Sequence, residues 1–142
     1  AISHDHKPRP QFHVLEAWRN FTSGQVLPVA MTPPTMATGK CGFVPAYNDT
    51  PQLAALALDQ GGGGLRVLVI NRHPTQAANL RLRLNGRSQG TLAMRTLLSN
   101  DYFGEPVQWQ EKSVVLADGR AEIQLPKHAL AMLHLPMRPG QA

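Results

Sequence analysis

The clearest hydrophobic pattern in this chain is the strict alternation of leucines with polar residues over 78–85. In an extended chain the leucines lie on one face and the arginines on the other, so the segment predicts a half-buried antiparallel strand. Asn85-Gly86 follows it, and Asp118-Gly119 separates two later apolar segments. Both dipeptides favour tight hairpin turns.

Short apolar segments bounded by Gly, Pro, Asn or Asp recur along the chain and predict further strands. These strands are expected at 25–31, 52–59, 65–71, 91–98, 112–117, 120–125 and 129–135, with a poorly ordered one at 41–47. The composition of 32–40 predicts a loop, that of 48–51 a turn, and that of 99–106 a longer loop.

One segment near the N-terminus has helical rather than strand periodicity. Its apolar residues are Val14, Leu15, Trp18 and Phe21. Pro10 suits the first turn of a helix and Gly24 suits the position after its end, so one amphipathic helix is expected between them.

The order of these elements predicts a mainly β fold. We expect an antiparallel β-sandwich of about seven to eight strands with one N-terminal amphipathic helix. The lead-in and helix would occupy residues 1–24, and the sandwich residues 25–142. A chain of 142 residues is long enough for one domain with its own core.

Composition excludes several classes of function. The net charge is +5, and Arg81, Arg83, Arg87 and Arg95 would form a basic stripe if they shared a face. Aromatic residues make up only 6% of the chain and are not interleaved with these arginines, so we expect a solvated or domain-facing surface and no nucleic-acid partner. No apolar run reaches the length of a membrane span, and no membrane partner is expected. The single cysteine, Cys41, leaves the cellular compartment open.

No combination of residues predicts a catalytic or metal site. Glycoside hydrolysis needs two carboxylates across a cleft, and the nearest pair, Asp101 and Glu105, is better explained as part of a polar turn. His4 and His6 are two ligands at most, fewer than a zinc site requires. We therefore expect no catalytic residue, no bound metal and no cofactor in this chain.

Three segments resemble the C-terminal part of retaining α-L-arabinofuranosidases, in which a catalytic (β/α)-barrel is followed by a β-sandwich. RPQFHVLEAWRNFTSGQVLPV resembles the last barrel helix and the first sandwich strand, and LRVLVINRHPTQAANLRLRLNG resembles the central hairpin. LSNDYFGEPVQW, followed by EIQLPKHALAMLHL, resembles the loop and closing strand. The resemblance implies that the catalytic glutamates belong to barrel strands upstream of this region. The chain begins Ala-Ile-Ser, and we expect it to be a piece of a longer glycosidase.

This resemblance gives the helix stripe a role. Val14, Leu15, Trp18 and Phe21 would cover the catalytic barrel, and the sandwich would brace that barrel and shape one rim of its cleft. A free-standing carbohydrate-binding module is the main alternative, with Trp109, Tyr102 and Phe103 as candidate sugar contacts. A basic interaction module is the other.

Overall fold

The computed structural model of the chain describes residues 10–19, 21, 23–99 and 107–138. One helix, α1, spans Pro10–Arg19. Ten strands follow: β1 Gln25–Leu27, β2 Thr35–Thr38, β3 Tyr47–Pro51, β4 Leu53–Gly61, β5 Gly64–Asn71, β6 Ala78–Arg83, β7 Gly90–Ser99, β8 Val107–Leu116, β9 Arg120–Leu125 and β10 Leu130–Leu135.

Six strands form one antiparallel sheet in the order β1-β4-β5-β10-β7-β8. Strands β6 and β9 form a separate antiparallel pair, and β2 pairs with β3. Strand β10, the last in sequence, lies inside the large sheet between β5 and β7. The fold is therefore mainly β and antiparallel with one helix, as the sequence predicts.

The main hydrophobic core fills the space between the large sheet and the β6–β9 pair. Its members from the large sheet include Val69, Leu92 and Leu133, and those from the pair include Ile123 and Leu125. In β7, β9 and the second half of β8, alternation places every second residue on the side of this core. The result is a sandwich of two unequal layers.

A second core lies on the opposite face of the large sheet, where α1 packs. Ala17 and Phe21 are buried there against Leu58, Leu68 and Met132. This packing explains why the central strands of the large sheet are apolar on both faces, since a sheet covered on both sides buries successive residues.

The sequence prediction was wrong about the number and position of some strands. There are ten, not seven or eight, among the described residues. The predicted loop 32–40 contains β2, and the predicted turn 48–51 lies within β3. These two strands are largely exposed and polar, so backbone pairing with each other, rather than burial, defines them. Strand β8 begins at Val107 instead of residue 112, and most of the predicted loop 99–106 lies outside the described residues.

A fully buried polar residue ties the end of β5 to two turns. The side-chain amide of Asn71 donates to the carbonyls of Gln76 and Pro126, each at 3.0 Å. Its Oδ1 accepts from the backbone N–H of His73 at 3.0 Å and from Nε2 of Gln52 at 3.3 Å. Both ends of the Asn71 amide are thus satisfied away from water.

The predicted turn at Asp118-Gly119 is confirmed as a two-residue β-hairpin connection. Ala117 and Arg120 exchange two backbone hydrogen bonds, at 2.9 and 3.0 Å. Asp118 and Gly119 both have positive φ, 52° and 72°, as a type I′ turn requires.

Replacing Gly119 by alanine is expected to lower the free energy of unfolding by about 1–3 kcal/mol. An added Cβ would lie 2.9 Å from the carbonyl oxygen of Leu84, and the φ of 72° is unfavourable for L-residues. Chemical denaturation measures the change. Gly39→Ala is the matched control, since nothing lies within 4 Å of its Cβ position. Equal stability of the two variants would contradict the assigned turn.

Candidate functional site

Of the three candidate sugar contacts, the structure describes only Trp109. Tyr102 and Phe103 lie outside the described residues. Trp109 is half-buried on the helix side of the large sheet, where it packs at the edge of the second core. It is the cross-strand partner of Leu97 in the β7–β8 ladder.

One face of the Trp109 ring is already occupied by a neighbouring cation. The guanidinium carbon of Arg95 lies 4.6 Å from the ring centroid. Arg95 Nε lies 3.2 Å from Glu111 Oε1, which fixes the guanidinium over the indole. Sugars stack on open aromatic faces, so this arrangement leaves Trp109 one face fewer for such a contact.

The four apolar residues of the helix stripe divide between two surroundings. Phe21 is buried and Val14 half-buried, and both contact the second core. Leu15 and Trp18 face outward, with 62% and 47% of their surface exposed. One apolar side of the helix therefore packs against the large sheet, and a second apolar side, that of Leu15 and Trp18, is exposed to solvent.

The arginines of the proposed basic stripe do not share one face. Arg81 lies on the outer side of β6 and pairs with Glu122 at 3.9 Å. Arg95 lies on the helix side of the large sheet. Arg87 donates to the carbonyl oxygens of Gly63 and Pro136 at 3.0 and 2.6 Å, which ties two loops together. Three of these four arginines are thus paired with a carboxylate or bonded to backbone carbonyls.

Several of the described carboxylates also have local partners. Glu111 and Glu122 pair with arginines, and Asp59 accepts the backbone N–H of Gly61 at 2.8 Å. Within the described ranges, no three His, Cys, Asp or Glu side chains come together as metal ligands. Asp101, Glu105, His4 and His6 lie outside those ranges. No helix in the described part is long and apolar enough to cross a membrane.

His134 is the one described group whose pKa departs clearly from its ordinary value. Desolvation, followed by the charge of Arg66, lowers the pKa of His134 below 6.5. The two residues are direct cross-strand partners in the β5–β10 ladder, which explains the repulsion.

Stability is expected to fall as the pH drops below about 6.5. The unfolded chain binds a proton at this position more readily than the folded chain, so the free energy of unfolding rises with pH through the interval between the two pKa values. His134→Gln should flatten this part of the pH profile in thermal melts between pH 5 and 7. An unchanged profile would show that His134 does not contribute. The effect is small because the side chain is largely in solvent.

The structure also contains a cleft that the sequence did not predict. It has a volume of about 330 Å³ and is lined by residues of β7 and β8 together with residues at the start of β6 and the end of β9. Its lining residues are Ala77, Met94, Thr96, Gln110, Lys112, Gln124 and Pro126. The alternating polar residues of β8 indicated that one side of this strand is not fully buried. Sequence spacing could not show that residues of the second layer line the same cleft.

The fold defined above, a six-stranded antiparallel sheet with a strand pair on one face and a helix on the other, is shared with part of much larger glycoside hydrolase chains. Among solved structures, the GH51 α-L-arabinofuranosidase from Thermotoga petrophila is similar over 82% of this chain, with a TM-score of 0.69 and 15% identity. The GH51 arabinofuranosidase from Xanthomonas axonopodis pv. citri is similar over 89%, with a TM-score of 0.69 and 17% identity. A family 51 α-L-arabinofuranosidase from Bifidobacterium longum is similar over 75%, with a TM-score of 0.61 and 21% identity.

The match covers only 27%, 26% and 22% of those three chains, respectively. At these identities the comparison shows a common fold. No protein-family model matches the sequence, and a search of curated proteins found no match. The expected structural resemblance to arabinofuranosidases is confirmed at the level of the fold.

Proposed function

We propose that this chain is a non-catalytic C-terminal domain of a glycoside hydrolase similar to α-L-arabinofuranosidases. In this proposal residues 1–24 provide the last helix of a catalytic barrel and residues 25–142 form the sandwich that braces it. The fold shared with about a quarter of the arabinofuranosidase chains supports the assignment.

The observation that carries the proposal is the distribution of exposed large apolar side chains. Of the ten such residues among those described, eight lie between residues 12 and 47, and only Val115 and Met137 lie beyond. The eight are Phe12, Leu15, Trp18, Val26, Val29, Phe43, Val44 and Tyr47. Exposed apolar side chains that form one patch are typical of a surface that another domain covers.

The helix shows how such a domain would bind. Its inner residues, Ala17 and Phe21, anchor it to the large sheet, while Leu15 and Trp18 remain available on the outer side. A helix with apolar residues on both sides suits a position between two packed layers. We propose that the catalytic barrel covers Leu15 and Trp18.

The carboxylates bear on which part of the proposed enzyme, this domain or the barrel, carries out catalysis. Glu111 and Glu122 pair with arginines and Asp59 bonds to backbone, and the resemblance assigns the catalytic glutamates to the barrel. Within the proposal, this domain contributes stability and the position of one rim of the substrate cleft. The reaction, hydrolysis of an arabinofuranoside with retention, belongs to the barrel.

The test combines the intact mass of the complete gene product with an activity assay. We expect a polypeptide several times longer than 142 residues that hydrolyses 4-nitrophenyl α-L-arabinofuranoside, and no turnover by the 142-residue chain alone. A longer product inactive on arabinofuranosides but active on another glycoside would retain the domain assignment and change the substrate. A gene product no longer than this chain, or turnover by the chain alone, would overturn the proposal.

A further inference from the structure

The turn at Asn85-Gly86 brings two groups together that can react with each other. It connects β6 to β7, which belong to different sheets, and both of its residues are exposed to solvent. Neither the side-chain amide of Asn85 nor the backbone N–H of Gly86 forms a hydrogen bond with a residue that the structure describes. The side-chain carbonyl carbon and the backbone nitrogen next to it are therefore both accessible and uncommitted.

An asparagine in this setting can cyclise onto its own backbone. The backbone nitrogen of Gly86 attacks Cγ of Asn85, so that a C–N bond forms. Ammonia leaves and carries away the proton that the attacking nitrogen gives up, and the product is a five-membered succinimide. Water then opens the ring at either of its two carbonyl carbons. One opening gives aspartate and the other gives isoaspartate, in which the main chain runs through the side-chain carbon.

The surroundings of Gly86 favour ring closure. Glycine lacks a Cβ that would obstruct the approach of the nitrogen. Nothing lies within 4 Å of the position that a Cβ would occupy at Gly86, so the space beside the nitrogen is open. Because the N–H has no partner among the described residues, cyclisation breaks no backbone hydrogen bond described in the fold.

The pair Asp118-Gly119 has the same chemical potential, but the fold protects it. An aspartate before glycine forms the same succinimide with loss of water. The N–H of Gly119, however, donates to the carbonyl of Ser88 at 2.8 Å, and Gly119 is buried. Its Cβ position lies 2.9 Å from the carbonyl oxygen of Leu84. Ring closure there would require the turn to open and a buried hydrogen bond to break.

The other described asparagines are less suited to this reaction. Asn48 and Asn79 are exposed, but each lies within a strand and is followed by a residue that has a Cβ. Asn71 is buried, and its amide donates to backbone carbonyls. Asn20 and Asn100 lie outside the described residues. Exposure alone therefore does not distinguish Asn85, whereas exposure together with a following, unbonded glycine does.

From these observations we propose that Asn85 is a site of spontaneous deamidation in the folded chain, with water as the only co-reactant. The reaction replaces a neutral amide with a carboxylate and lowers the net charge of +5 by one. Isoaspartate also adds one carbon to the main chain directly before Gly86, whose carbonyl oxygen accepts a hydrogen bond from the guanidinium of Arg138. We expect the modification to weaken that contact. The proposal is independent of any catalytic barrel.

The experiment is incubation of the folded 142-residue chain at mildly alkaline pH for several weeks, followed by peptide mapping with mass spectrometry. Digestion with pepsin at acidic pH keeps further cyclisation slow, and fragmentation distinguishes isoaspartate from aspartate. We expect the peptide that contains Asn85 to gain about 1 Da. Its rate should exceed those of the peptides with Asn48 and Asn79 at least about tenfold, which corresponds to a difference in barrier of about 1.4 kcal/mol.

Two controls make the result specific. Asn85→Gln should gain no mass over the same period, since glutamine would have to close a six-membered ring. Isoaspartate at Asp118 should be absent from the folded chain and appear when the chain is incubated in concentrated urea, which releases the N–H of Gly119.

Three results would overturn the proposal. One is an unchanged mass of the Asn85 peptide. Another is conversion of Asn48 and Asn79 as fast as Asn85, which would show that the turn does not direct the reaction. The third is isomerisation of Asp118 in the folded chain as fast as in urea, because a bonded and buried glycine nitrogen would then be no barrier. None of these results bears on whether a catalytic barrel precedes the domain.

Discussion

Replacing Asn71 by aspartate is expected to lower the free energy of unfolding by about 3–5 kcal/mol, because it leaves an uncompensated buried charge. The substitution keeps the shape of the side chain but replaces the amide donor with a carboxylate oxygen. That oxygen would face the carbonyls of Gln76 and Pro126, which now accept at 3.0 Å. Urea denaturation at pH 7 measures the loss.

Asn48→Asp is the matched control for this prediction. Asn48 lies on the exposed strand β3, so the same chemical change should alter stability by less than about 0.5 kcal/mol. The loss in the Asn71 variant should diminish as the pH falls and the carboxyl is protonated. Comparable stability of the two variants at pH 7 would show that the Asn71 network does not hold the two turns.

Leu133→Ala is expected to cost about 2–5 kcal/mol, the range for removing a leucine from a packed core. Leu133 is 1% exposed and lies on β10 between Val67 and Met94 of the adjacent strands. Truncation would leave a cavity between the two layers that the central strands cannot close. The measurement is again urea denaturation, with the slope checked for two-state behaviour.

Leu15→Ala removes the same atoms from the outer side of α1 and serves as the control. In the 142-residue chain it should change stability by less than about 0.5 kcal/mol, because the side chain is mostly in solvent. In a protein that includes the proposed barrel, the same substitution should be clearly destabilising. A large loss in the isolated chain would mean that Leu15 is already packed and not available to a partner.

Local sequence patterns were sufficient to predict an element where a strand has one buried and one solvated face. They were also sufficient where a turn requires an unusual backbone conformation. The alternation over 78–85 predicts β6, and Asp118-Gly119 predicts the connection of β8 to β9 because few other pairs adopt positive φ twice. Helical spacing likewise located α1. Each of these elements is specified by residues within about ten positions of one another.

Elements that depend on distant residues could not be predicted in the same way. Strands β2 and β3 bury little surface, so their sequence carries no hydrophobic period, and only their mutual pairing defines them. The helix stripe did not reveal that Phe21 would turn toward the sheet while Trp18 stayed outside. Thr96 of one layer and Gln124 of the other line the same cleft, and only the packed fold shows that they lie close together.

The most direct test of the central claim, that another domain of the same polypeptide covers the outer side of α1, is hydroxyl-radical footprinting with mass spectrometry. The 142-residue chain is compared with the complete gene product. We expect oxidation of Leu15 and Trp18 to fall several-fold in the complete protein, while that of Val115, exposed on β8, stays the same. Equal oxidation of Leu15 and Trp18 in both samples would contradict the account.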